Sequence, residues 1–160
     1  MTIVIIAEKP SVANDLAGVL NVKDKKESHW HSENLIITWA VGHLLELKSP
    51  DEYNSDLKNW RKSLDSLPYV PESFDFKPKQ YTKKQLNGIL KILKDKSVTE
   101  VVNACDAARE GELIFRSIIQ IHISLLIRNL RLTRIVSVKC INKKKLEYVG
   151  YKYFSIFNFK

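Results

Sequence analysis

Cysteine is nearly absent from this 160-residue sequence. Cys105 and Cys140 are the only two, and neither belongs to a Cys-x-x-Cys pair. They make neither a disulfide framework nor a thiolate zinc site. Long apolar runs are missing as well. No stretch approaches the roughly 20 residues of a membrane-spanning helix. The first apolar run, IVIIA at residues 3–7, is too short for a secretory signal and has no basic residues before it. These absences point to a cytoplasmic protein with reduced thiols and no membrane partner. There is no internal repeat.

Acidic residues are scarce in one region alone. Residues 121–160 hold nine Lys/Arg against a single acid, Glu147, whereas residues 1–120 hold 17 of each sign. The net charge of +8 therefore belongs to the last forty residues. It gives no nucleic-acid signal for the main body. What is present suits a folded domain: 44% hydrophobic and 28% charged residues exclude intrinsic disorder, and the length suits one domain with a real core.

The element order reads as α/β. Residues 2–7 form a short, continuous, β-branched run, the pattern of a strand buried on both faces. Pro10 and Ser11 open a helix, with Val12, Leu16, Val19 and Leu20 at helical spacing. SHWHSENLIITWAVGHL reads as two extended pieces around a polar turn at 32–34, with His29 and His31 in surface loop and Trp39 in the core. Residues 46–80 read as a long connection with a short helix near 57–64. Tyr53, Trp60, Tyr69, Phe74 and Phe76 are expected to anchor it. YTKKQLNGILKILKDK is an amphipathic helix with Leu86, Ile89, Leu90 and Leu93 on one stripe. TEVVNAC is a second buried strand, and AREGELIFRSIIQ a further helix with Leu113, Ile114, Ile118 and His122 near helical spacing. This order predicts a mostly parallel sheet with helices on both faces.

Both buried strands end on an acid. Glu8 follows the first and Asp106 the second, and Glu110 and Glu112 open the next helix. Strand ends at the carboxyl edge of an open α/β sheet are where ligands bind. If the two strands are neighbours, roughly 5 Å apart, Glu8 and Asp106 converge, and Glu110 lies one helical turn further on. Such a carboxylate group suits a hard divalent cation. The same acids also suit capping and the macrodipole at a helix start, although Pro10 makes Glu8 a poor cap.

Three motifs carry a resemblance. IAEKPSVA, TWAVGHLLEL and ACDAAREGELIF occur in that order. Together they resemble the N-terminal part of type IA DNA topoisomerases of the topoisomerase III kind, within the Rossmann-like Toprim domain shared more loosely with bacterial primases and some small nucleases. The resemblance covers residues 1–120. It implies a Toprim fold, Mg²⁺ as cofactor and single-stranded DNA segments as partner. It matches Glu8 to the catalytic glutamate, a magnesium ligand and acid/base for the 3′ hydroxyl of the cut strand. Asp106 matches the first acid of the metal motif and Glu110 the third. Ala108 stands where many relatives carry a second Asp, a departure that leaves a single-metal site. Lys9 matches a position close to the scissile phosphate, its alternative being a surface lysine. Arg109 is placed to contact a phosphate, or is an exposed arginine at a helix start. Gly111 is expected to permit close backbone approach. His43 frames the site, with a packed structural role as the alternative.

The resemblance fades from residue 121. It implies a nucleophilic tyrosine in a separate domain, and Tyr148, Tyr151 and Tyr153 lie in LEYVGYKYFSIFNFK, which resembles no part of that motif. The expected division is a Toprim domain at 1–120 and a basic, divergent tail at 121–160. A shifted reading frame that truncates the product accounts for the tail, and a genuine nucleic-acid-binding arm is the rival. The functional expectation is the metal-binding part of a magnesium-dependent, ATP-independent topoisomerase, inactive alone. The alternatives are a stand-alone Toprim nuclease and a non-catalytic DNA-binding module.

Overall fold

The first strand, β1 (Thr2–Ala7), alternates its side chains between two layers. Val4 and Ile6 enter one core while Ile5 and Ala7 enter the other. A central strand buried on both faces needs an apolar side chain at nearly every position, which is why its sequence runs without alternation. The computed structural model describes residues 1–59 and 68–125, together with the strand backbones of 131–135, 138–142, 145–148 and 151–154.

After β1 the chain turns into α1 (Pro10–Val19), with Pro10 in the first turn and the end marked by Asn21 at φ 54°. Two antiparallel edge strands follow, β2 (Asp24–Lys25) and β3 (His29–His31). β4 (Leu35–Trp39) returns parallel to β1. The polar turn expected at 32–34 separates β3 from β4. His29 and His31 belong to a strand rather than to a loop, because pairing with β4 extends that segment.

Residues 46–80 hold more structure than expected. β5 (Leu45–Leu47) pairs antiparallel with β6 (Phe76–Pro78) in a small separate sheet. Between them lie α2 (Pro50–Tyr53) and a 3-10 turn, Ser55–Lys58. Ser49 opens α2, donating its amide (2.8 Å) and hydroxyl (2.9 Å) to the Glu52 carboxylate. The helix expected near 57–64 and the anchor at Trp60 lie mostly outside the described residues. Tyr53 ties the segment down by accepting the Asp75 amide at 2.6 Å. Phe74 and Phe76 do not anchor it: they are 64% and 40% exposed.

A second 3-10 turn, Gln80–Thr82, leads into α3 (Lys83–Lys94), and then come β7 (Val98–Ala104) and α4 (Arg109–Leu125). β8 (Arg131–Ile135) runs parallel to β7, and β11 (Tyr151–Phe154) antiparallel to β8. β9 (Val138–Asn142) and β10 (Lys145–Tyr148) pair with each other. Among the described residues the main sheet has the order β11-β8-β7-β1-β4-β3-β2. Its four middle strands are parallel, flanked by antiparallel strands at both edges.

Helices cover both faces, as the element order predicts. α1 packs Ala13, Leu16 and Ala17 against Ile5, Ile37, Trp39 and Val102. On the opposite face, α3 supplies Leu86, Ile89, Ile92 and Leu93, and α4 supplies Ile114, Phe115, Ile118 and Ile119. Each fully buried Ile or Leu here contributes about 1.5–3 kcal/mol of hydrophobic stabilisation. Leu113 departs from this pattern and is 45% exposed. Among the described residues no helix is long and apolar enough to cross a membrane.

One feature of this topology positions the site. From β1 the chain crosses by α1 to β4 on one side. From β7 it crosses by α4 to β8 on the other side and the opposite face. The carboxyl ends of β1 and β7 are thus the point where the winding reverses, the crevice where open α/β sheets bind ligands.

Candidate functional site

β1 and β7 run in register to their ends, Ala7 beside Ala104. Glu8 and Asp106 therefore leave the sheet side by side. Lys9 holds the N-cap position of α1, with no side-chain capping bond, so Glu8 is not used to cap its own helix. Its side chain is only 12% exposed, and Oε2 accepts the Asp106 amide at 3.2 Å. The Lys9 ammonium lies 3.6 Å from Oε1 and is itself 60% exposed.

The loop carrying Asp106 is fixed from several directions. Asn103 is buried, and its Oδ1 accepts the Cys105 amide at 3.0 Å. Its Nδ2 donates to Glu112 Oε2 at 3.2 Å, and Arg116 Nε donates to the other oxygen of Glu112 at 2.5 Å. Glu112 thereby clamps the first turn of α4 to the end of β7. Gly111 completes the fit. A Cβ there would stand 2.3 Å from the Asp106 carbonyl oxygen and 2.8 Å from its amide nitrogen. The close approach expected of this glycine is against the backbone of the very residue that pairs with Glu8. Helix α4 begins at Arg109, which puts Ala108 at the N-cap position and Asp106 outside it.

Glu110 lies in the first turn of α4, where its charge opposes the helix dipole favourably. Its Oε2 is 3.0 Å from His43 Nε2, across the mouth of the crevice. His43 stands in the loop after β4, just past Gly42, whose φ of 76° lets the chain turn there. Both partners are accessible, at 40% for His43 and 63% for Glu110. Arg109 is exposed and makes no ion pair among the described residues.

The structure thus brings the Asp106 backbone onto the Glu8 carboxylate and sets Glu110 beside His43. Among the described residues, no three His, Cys, Asp or Glu side chains are gathered closely enough to hold a metal. The donor chemistry nonetheless fits one kind of ion. Glu8, Asp106 and Glu110 offer carboxylate oxygens alone, the ligands of hard divalent cations such as Mg²⁺. The partnership of His43 with Glu110 was not legible from spacing. Its one signal is position: His43 follows the carboxyl end of a buried parallel strand, as Glu8 and Asp106 do.

The Toprim domain family model matches residues 3–137. DNA topoisomerase 3 of Bacillus subtilis (strain 168) is 42% identical over 117 residues, which is 73% of this chain and 16% of that protein. DNA topoisomerase 3 of Staphylococcus haemolyticus (strain JCSC1435) is 40% identical over 119 residues, 74% of this chain and 16% of that protein. The chain spans about a sixth of the length of these curated relatives. A mostly parallel sheet, the Asp106 amide bonded to Glu8 at its switch point and a match over most of the sequence agree: the chain belongs to the Toprim domain family.

Proposed function

We propose that this chain is the N-terminal metal-binding part of a type IA DNA topoisomerase, with Glu8, Asp106 and Glu110 holding one Mg²⁺ next to a single-stranded DNA segment. The enzyme's reaction on this reading is ATP-independent breakage, passage and rejoining of one strand. The observation that carries it is the Asp106 amide bonded to the Glu8 carboxylate at 3.2 Å, at the switch point. The similarity to DNA topoisomerase 3 supports the choice of chemistry.

Glu8 is the acid/base, holding or releasing the proton of the 3′ hydroxyl. The Asp106 amide fixes its carboxylate, and burial of the side chain limits its rotamers. Lys9 and Arg109, exposed on either side, offer cations to the phosphate. Bound Mg²⁺ neutralises charge on the phosphate oxygens. The nucleophilic tyrosine lies outside this motif set, so the chain alone breaks no strand covalently.

The test is calorimetric titration of the chain with Mg²⁺, beside Asp106→Asn and Glu110→Gln, followed by incubation with single-stranded DNA. One bound ion, weakened in both variants, with no covalent adduct, is the expected result. Absence of Mg²⁺ binding overturns the metal site. Mg²⁺-dependent nicking by the chain alone, lost in Asp106→Asn, overturns the inactive-part reading in favour of a stand-alone nuclease.

A further inference from the structure

Helix α3 divides its residues sharply between core and water. Leu86, Ile89, Ile92 and Leu93 are buried, while Lys83, Lys84, Asn87, Lys91 and Lys94 are all exposed. At 100° per residue these five fall within an arc of about 100°. The outward face is therefore a stripe of four lysines and one asparagine without an acid. The twelve residues of the helix make the stripe about 18 Å long.

The start of this stripe is not laid out for helix stability. Lys83 and Lys84 occupy the first turn, where the macrodipole disfavours cations, and no acid accompanies them. Lys91 and Lys94 lie in the last turn, where the macrodipole favours cations, although as an i,i+3 pair they repel each other. Lys84 pairs with Glu27. Among the described residues no carboxylate lies within ion-pair distance of Lys83, Lys91, Lys94 or the preceding Lys79. Charge is balanced over residues 1–120 as a whole, yet residues 77–96 hold seven lysines and one acid, Asp95.

The stripe begins at the rim of the site. The Lys79 amide donates to the Leu44 carbonyl at 3.0 Å, and Thr82 Oγ1 to the same carbonyl at 3.2 Å. Leu44 follows His43, the partner of Glu110. Between Lys79 and Lys83 stands Tyr81, 88% exposed, an aromatic ring that packs against almost nothing. A flat ring beside a line of cations is the combination that binds single-stranded nucleic acid: cations follow the backbone and the ring stacks a base.

We propose that the outward face of α3, with Lys83, Lys91, Lys94 and Tyr81, is a track for single-stranded nucleic acid leading to the carboxyl edge of the sheet. The occupant follows from charge complementarity along the whole helix, which spans about five phosphates at the 3.4 Å spacing of one strand. The proposal rests on the DNA reading above and gives the substrate a path to the site.

The test measures binding of a fluorescent single-stranded 20-mer and its duplex to the full chain by anisotropy across a KCl series. The wild type is compared with Lys83→Gln/Lys91→Gln/Lys94→Gln and with Tyr81→Ala. The triple variant should flatten the slope of log K against log salt by about 2 for the single strand. It should melt close to wild type, since the repulsion it removes offsets the last-turn dipole contacts that it also removes. Tyr81→Ala should weaken single-strand binding about tenfold and leave the duplex unchanged. An unchanged slope in the triple variant, or no wild-type binding at low salt, overturns the track. Unchanged single-strand affinity in Tyr81→Ala overturns the single-strand assignment. Equal displacement of the oligonucleotide by polyglutamate at matched charge overturns the nucleic-acid assignment in favour of an acidic protein. Mg²⁺ titration of the same proteins separates this from the site reading, because the lysine variants leave Glu8 and Asp106 untouched.

Discussion

The amide of Asp106 holds the carboxylate of Glu8 at 3.2 Å, although 98 positions separate them in the chain. The bond exists because two parallel strands end level with each other. Its acceptor is an oxygen that a glutamine also offers. Glu8→Gln should therefore keep the fold, with a melting temperature within about 2 °C of wild type, while losing the charge that a hard cation needs. Mg²⁺ affinity should fall at least about tenfold. Calorimetry beside thermal melting reads both, and an unchanged affinity would remove Glu8 from the ligand set.

Gly111→Ala sets two effects against each other. Alanine gains about 1 kcal/mol of helix propensity over glycine. Against it stands a methyl group 2.3 Å from the Asp106 carbonyl oxygen, with backbone on the other side that cannot rotate away. Overpacking of this kind costs about 1–3 kcal/mol or more, and the clash wins. Urea melts should show net destabilisation, and Mg²⁺ binding should weaken because Asp106 is displaced. A stabilised variant would show that α4 does not press on that loop.

Thr99 in β7 buries a hydroxyl oxygen that has no hydrogen-bond partner among the described residues. Valine has nearly the same shape, suits a strand and leaves nothing unsatisfied. Thr99→Val should be neutral or stabilising by up to about 1 kcal/mol. Chemical denaturation decides it. A loss above that range would mean the hydroxyl has a partner in solution.

Acid should loosen the start of α2 in a defined window. The Glu52 carboxyl is held down to about 2, first by the hydrogen bond from Lys77 at 2.6 Å and then by the Ser49 amide and hydroxyl. A depressed carboxyl contributes stability above its unfolded value of 4.5, and that contribution is lost as pH falls toward 2. Lys77→Met removes the leading cause. Its difference in stability from wild type should be constant above pH 5 and shrink between about pH 4.5 and 2. A difference that does not change with pH would assign the effect of Lys77 to packing instead.

Much of this was legible in the sequence, for reasons that are local. The continuous β-branched run at residues 2–7 and the shorter one within TEVVNAC read as buried strands, and the stripe of Leu86, Ile89 and Leu93 as a helix face. Glu8 and Asp106 stood out as the acids that end the two runs, and the three resembling motifs set them apart from ordinary helix-start acids. What escaped needed distant partners. β5 and β6 are three residues each, one ending in Pro78, and neither reads as a strand without the other. The His43–Glu110 pair spans 67 positions and depends on where β4 lies in the sheet. Phe74 and Phe76 carry the residue type of an anchor but face water. Hydrophobicity sets a preference for burial, and the path of the chain decides whether it is met.

The place of β1 in the sheet bears on how the chain is made. It is made before both of its neighbours, and Val4 must wait for Ile36 on one side and Val101 on the other. Until Ala104 has been synthesised, a strand of high aggregation tendency has an open edge, and closing it is a slow, long-range step. Glu8 shares that delay. Nascent chains stopped short of β7 should be bound by chaperones and sensitive to protease near residues 3–7, and protection there should appear in the same step that brings Asp106 to Glu8.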